Sequence, residues 1–181
     1  MILMMGPTGS GKSSQTAELV KRHHQLVGIE MGELLRQSHD PQAQAAMQSG
    51  HFVSDELSAQ LLRAALHQAG DREPLLDGYP RRVSQLADFE QMLVELKQSV
   101  RAVIVLRVSR AIAEERLAKR GRADDVAVAI ATRWLEFEQE TMQVVEHFMK
   151  QGVVHEVDGE GDLEVITGRI EKALGLDETK N

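Results

Sequence analysis

The seven residues Ala102-Val-Ile-Val-Leu-Arg-Val108 are apolar at every position but one. A strand of that kind has no polar face to turn to water, so both its faces must be covered. A second apolar run, Met1 to Met5, makes the same demand and stops abruptly at Gly6. Further short strands are predicted at Leu26–Ile29, at Pro74–Asp77 and at Val153–Val157, each separated from the next by helical periodicity. Strands alternating with helices predict an α/β fold: a central parallel sheet in a three-layer arrangement with helices on both faces. Ligands of such sheets lie beyond the carboxyl ends of the strands. The residues after Met5, Leu76 and Val108 therefore converge on one edge.

The first of those edges carries a motif. Gly6, Gly11, Lys12 and Ser13 satisfy G-x-x-x-x-G-K-[ST], the phosphate-loop signature, set between a strand and a helix as the motif requires. Glycines let the backbone curl into a nest of inward-pointing N–H groups, and the following helix adds its positive end. Lys12 is placed to reach the β- and γ-phosphates and Ser13 to face Mg²⁺. Such a loop predicts a nucleoside triphosphate ligand.

The helix behind the loop is predicted from Ser13 to His24, with His23 and His24 as end caps. Glu33–Gln37 and Pro41–Gln48 read as short helices, the second opened by Pro41 and ended by Gly50. Ser54 caps a helix marked by Leu57, Leu61, Leu62, Ala65 and Leu66. Leu86 to Leu96 and Ala111 to Lys119 follow. Asp124 or Asp125 is predicted to start one long helix running through Trp134, Phe137 and Val145 to Phe148. Leu163–Leu174 closes the pattern, and Asp177–Asn181 reads as a frayed tail.

At 181 residues, 42% hydrophobic and 27% charged, the chain reads as one soluble domain. It has no cysteine, which excludes disulfides and thiolate chemistry. No apolar run approaches the roughly 18 residues of a membrane span, and the N-terminal run is too short for a signal peptide. The prediction is a cytoplasmic protein without a membrane partner. A formal net charge of −7 argues against nucleic acid as a partner, although converging arginines can still bind a small polyanion.

A second signal lies at Asp77. An acid ending a strand well downstream of a phosphate loop serves Mg²⁺ in such enzymes, directly or through water. The run Asp77-Gly-Tyr-Pro-Arg81 resembles the D-G-[FY]-P-R signature of adenylate kinases and related nucleoside monophosphate kinases. Other segments match that family in order: Gly32-Glu-Leu-Leu-Arg36, Gly50-His-Phe-Val-Ser-Asp-Glu-Leu57, Glu115-Arg-Leu-Ala-Lys-Arg120, Gly121-Arg-Ala-Asp-Asp125, and Arg133 in the helix beyond.

The resemblance implies a P-loop kinase fold with a central five-stranded parallel sheet, a helical insertion for the monophosphate and a minimal lid. It divides one domain into a core (1–29, 60–119 and 125–175), the insertion (about 30–59) and a residual lid (about 120–124). It further implies that ATP is held by Gly6, Gly9, Ser10, Gly11, Lys12, Ser13 and Ser14, with Arg116 on the adenine and Gly161 at its edge. Met31, Gly32, Arg36, His51, Val53, Gly78, Arg81 and Gln85 would take the monophosphate, Gln85 through its base. Arg120, Arg122 and Arg133, with Lys12 and Arg81, would surround the transferring phosphoryl group. Mg²⁺ would sit at Ser13 and Asp77. A monomer acting on ATP and AMP is the implied state. Phosphoryl transfer suits these residues, because catalysis there is alignment plus neutralisation of charge on the phosphoryl oxygens.

Four departures from the family pattern stand out. Ser13 replaces a loop glycine, which predicts a direct bond from its hydroxyl to Mg²⁺. Glu30-Met31 stands where the family has Ser-Thr, which removes a hydrogen bond to the base and predicts relaxed base selection. Only Gly121 separates Arg120 from Arg122, so almost no lid is left to exclude water. Arg107 replaces an acid in the strongest strand, read as a strand-end charge reaching solvent. A kinase for UMP or CMP, and a catalytically weak nucleotide-binding protein, remain as alternatives.

Overall fold

The computed structural model describes residues 1–176; the predicted tail at Asp177–Asn181 lies outside them. Five parallel strands, β1 (Ile2–Met5), β2 (Leu26–Glu30), β3 (Glu73–Asp77), β4 (Ala102–Arg107) and β5 (Val154–Asp158), form one sheet in the order β2-β3-β1-β4-β5. The two runs with no polar face, β1 and β4, lie at and beside its centre, where both faces are covered.

Side chains alternate across the sheet, and the alternation sorts them into two cores. Leu3, Met5, Leu76, Val103 and Val105 face one way. They pack on Leu35 of α2 (Met31–Gln37), Leu62 and Leu66 of α4 (Asp55–Ala69), Phe89 and Met92 of α5 (Leu86–Glu95), and Val145 and Phe148 of α8 (Met142–Met149). Ile2, Met4, Leu75, Ile104 and Leu106 face the other way, onto Leu19 of α1 (Lys12–Arg22) and Ile166 and Ile170 of α9 (Leu163–Leu174). The result is the three-layer α/β fold that the strand pattern predicts.

Local signals explain the ends of two helices that flank the site. Ser54 Oγ accepts from the Leu57 N–H, and Asp40 caps α3 (Pro41–Ser49) by accepting from the Ala43 N–H at 2.8 Å, with Pro41 at the first helical position. Gly50 ends α3 in a left-handed conformation.

Two expectations are corrected. The helix behind the phosphate loop runs from Lys12 to Arg22, so His24 lies beyond it. His23 is its C-cap and meets Glu171 of α9 at 2.9 Å. The long helix does not begin at Asp124 or Asp125. Val126 is the N-cap of α7 (Ala127–Glu136), and both acids bind arginines instead. Nor is it uniform: Phe137–Thr141 form a π-helical turn between α7 and α8. Arg107 reaches solvent as predicted, paired with Glu156 on β5 and with its NH1 3.9 Å from Met142 Sδ.

Phe89 is fully buried between the sheet and the α4–α5 layer. Replacing it with alanine should cost about 3–5 kcal/mol of stability, read from the midpoint of denaturant unfolding.

Candidate active site

A cavity of about 600 Å³ opens at the carboxyl edge of the sheet. Gly6, Gly9, Gly11, Lys12, Ser13, Ser14, Arg116, Arg120 and Gly161 line it from one side, and Met31, Gly32, Arg36, His51, Val53, Gly78, Arg81, Gln85, Arg122 and Arg133 from the other, with Asp77 among them. Ser10 is the exception. It is fully buried beneath the loop, and its Oγ accepts from Lys12 Nζ at 3.4 Å.

The loop owes its course to close packing. Gly9 has φ +79°, and a Cβ there would sit 2.5 Å from the Ala113 carbonyl oxygen of α6 (Arg110–Arg120). Gly78 has φ +89°, and a Cβ there would sit 2.6 Å from the Arg81 guanidinium, so glycine lets that arginine fold back over the turn. Arg81 Nε then donates to the Gly78 carbonyl at 2.8 Å, while Thr141 Oγ1 of the π-helical turn donates to the Arg81 carbonyl at 3.0 Å. Thr141 was invisible to helical periodicity, since only the widened turn brings it there.

Across the sheet, β2 and β3 pair in register with Glu30 opposite Asp77. Both strands therefore end in a carboxylate beside the loop. Ser13 Oγ donates to Asp77 Oδ2 at 2.8 Å, which leaves the hydroxyl lone pairs for a cation. The Glu30 carboxyl lies against the same serine. Burial raises its pKa and the Asp77 charge adds to that, while the neighbouring Ser13 hydroxyl, Arg122 and Arg36 oppose it. Sequence reasoning noted the charge of Glu30 but not its partner; the signal was its place at the end of a strand beside β3. Among the described residues no cluster of three acids, histidines or cysteines could hold a metal unaided. Two hard oxygens beside a phosphate loop fit Mg²⁺, which completes its shell with phosphate oxygens and water.

The cations divide into two sets. Arg36 is paired with Glu33 at 2.9 Å, Arg120 with Asp125 at 2.5 Å, and Arg133 with Asp124 at 2.6 Å and Asp125 at 3.4 Å. Lys12, Arg81 and Arg122 have no ion-pair partner among the described residues. Burial lowers the pKa of Arg81, partly offset by Asp77, and burial with neighbouring Arg120 and Arg36 lowers that of Arg122. Uncompensated charge in a concave site is what an anion would neutralise.

Arg116 is tied by its guanidinium to the carbonyls of Ser10, Gly159 and Gly161 at 3.3, 2.9 and 3.3 Å. His51 is exposed and meets Glu136 at 3.3 Å, an acid that also accepts from the Phe52 N–H. Met31 is only 2% exposed and forms apolar wall. Gln85 lines the cavity, but most of its amide is engaged by protein groups: its Oε1 accepts from the Arg81 N–H at 2.7 Å and its Nε2 donates to Asp55 at 2.7 Å.

Lys12 is half-buried, yet its ammonium is enclosed, donating to the carbonyls of Gly6 and Pro7 at 2.8 and 2.9 Å. Burial lowers its pKa to about 8; Asp77 opposes this, while Arg81 and Arg120 add to it. In nucleotide-free protein the unfolded chain then holds a proton that the folded chain gives up between pH 8 and about 10.5. Stability should rise through that window relative to a Lys12→Met variant, measured by urea unfolding at a series of pH values.

Comparison with known proteins agrees with the geometry. The family profile described as adenylate kinase matches residues 4–153. The adenylate kinase of Synechococcus sp. (strain CC9311) is 36% identical over 179 residues, covering 96% of this chain and 97% of that protein. The adenylate kinase of Prochlorococcus marinus (strain MIT 9303) is 37% identical over 180 residues, with the same coverage. With this sheet order, this loop and this ring of arginines, the chain belongs to the adenylate kinase family.

Proposed function

We propose that the chain transfers the γ-phosphoryl group of ATP reversibly to AMP, giving two ADP, in the presence of Mg²⁺. One observation carries the reading. A single cavity joins a triphosphate loop to a second anion site at Arg36 and Arg81, with Lys12, Arg120, Arg122 and Arg133 between them. An oxygen of the AMP phosphate attacks the γ-phosphorus, and the bond from that phosphorus to the β,γ-bridging oxygen breaks. No general base is required, because the attacking oxygen is already ionised.

Each residue has a role in that step. The loop N–H groups and Lys12 hold the β- and γ-phosphates, and Arg36 and Arg81 align the acceptor phosphate. Arg120, Arg122 and Arg133 neutralise charge that spreads over the transferring oxygens. Ser13 and Asp77, with Glu30 beside them, would hold Mg²⁺, which when bound shields the charge of the phosphate oxygens. Arg116 would lie on the ATP adenine beside Gly161; Met31, Val53 and Gln85 would enclose the acceptor base. In this reading residues 30–59 are the acceptor-binding insertion and 120–124 what remains of a lid. All the groups named come from one chain, which supports a working monomer; the cytoplasm is the location we propose, as for a kinase of free nucleotides. No helix among the described residues is long and apolar enough to cross a membrane.

The test is one coupled assay of ATP–Mg²⁺ against AMP, CMP, UMP, GMP and dAMP. AMP should be the best acceptor, with Lys12→Ala inactive and Arg133→Ala slowed about 10³-fold or more. Nucleotide binding without turnover of any acceptor would overturn the reading in favour of a binding protein. Because α6 and α7 are joined only by residues 121–126, water should reach the γ-phosphate. Slow ATP hydrolysis without any acceptor is therefore expected, measured as phosphate release; turnover strictly dependent on AMP would refute it.

A further inference from the structure

Asp55 lies outside the lining of the sheet-edge cavity, in a second cavity that Gln85 also lines, yet it holds that glutamine, which lies within the first. It opens α4, and its carboxylate accepts from Gln85 Nε2 at 2.7 Å and from Ser84 Oγ at 2.7 Å, and pairs with Arg82. Arg82 in turn stacks on Phe52, 5.1 Å from the ring centre. On its other side the Gln85 amide accepts from the backbone N–H groups of Arg81 and Arg82 at 2.7 and 3.3 Å. These partners leave the amide one orientation. A backbone N–H needs the oxygen, and a carboxylate needs the nitrogen. Gln85 is only 4% exposed, so water cannot compensate a reversed amide.

We propose that Asp55 is a positioning residue for acceptor-base selection, acting through Gln85. With its oxygen occupied twice and one Nε2 hydrogen given to Asp55, the amide has a single hydrogen left for a ligand. A lone donor favours a base whose ring nitrogen accepts, as in a 6-aminopurine. Set against ring position 1, it disfavours a 6-oxopurine, whose N1 carries a hydrogen of its own. Reversing the amide to suit the oxopurine would set an oxygen against the Asp55 carboxylate and leave the Arg81 N–H unpaired. Asp55 thus makes the reversal costly, while an asparagine there could turn its own amide to meet either face. The inference rests on the acceptor-site reading above.

AMP and IMP exchange donor and acceptor on that edge at nearly constant shape, so they are the probes. Their dissociation constants, measured calorimetrically without ATP, should favour AMP in the unaltered protein. Asp55→Asn should lower the AMP/IMP preference about tenfold while leaving ATP affinity and melting temperature near their original values. In a Gln85→Ala background the same substitution should change nothing further, and Arg82→Ala should keep the preference. An unchanged preference in Asp55→Asn, an equal loss in the Gln85→Ala background, or an equal loss in Arg82→Ala would each overturn the proposal. Unaltered protein that binds neither monophosphate would instead overturn the acceptor site itself, and this inference with it.

Discussion

The register of β1 against β3 is the constraint on which the site depends. Met4 pairs with Asp77, so the phosphate loop leaves one strand next to where the acid and the Asp-Gly-Tyr-Pro-Arg turn leave the other. Slipping that register by one residue would turn Leu75 and Leu76 to the wrong cores and carry Asp77 away from Ser13. The apolar burial that stabilises the sheet and the 2.8 Å contact that prepares it for a cation are therefore set by one alignment.

Charge is arranged around that alignment as an unequal balance. The protein as a whole is acidic, while its cavity gathers Lys12, Arg81 and Arg122 without carboxylate partners among the described residues. Desolvation makes such a gathering costly in the empty site and favourable once phosphates are present. Asp77 and Glu30 stand on the other side of the balance, beside the loop serine, and offset part of the charge on Lys12, Arg81 and Arg122.

Much of this was legible in the sequence because it depends on local or periodic signals. Two runs with no polar face require a covered parallel sheet, and the loop glycines and Lys12 announce their chemistry by spacing. What stayed hidden depends on how the chain turns, whether the partners are near in sequence or far. Asp124 and Asp125 look like a helix start, and only the fold brings Arg120 and Arg133 to them. The family resemblance singles out Gln85, but the demand of Asp55 on its amide comes from a contact 30 residues away and that of the Arg81 N–H from the turn between them. Thr141 reaches Arg81 through a π-helical turn that no repeat in the sequence marks. Ser10 occupies a motif position yet turns inward, where its Oγ accepts from Lys12 Nζ.

Asp125 is almost inaccessible, with 4% of its side chain exposed, and it clasps an arginine from each of the two helices that flank the shortened loop. It stores the two guanidinium groups close together in an organised form, so that an arriving phosphate finds them already assembled and has only to exchange places with a carboxylate. The strength of that one carboxylate's hold therefore sets how readily either arginine is given up to another anion.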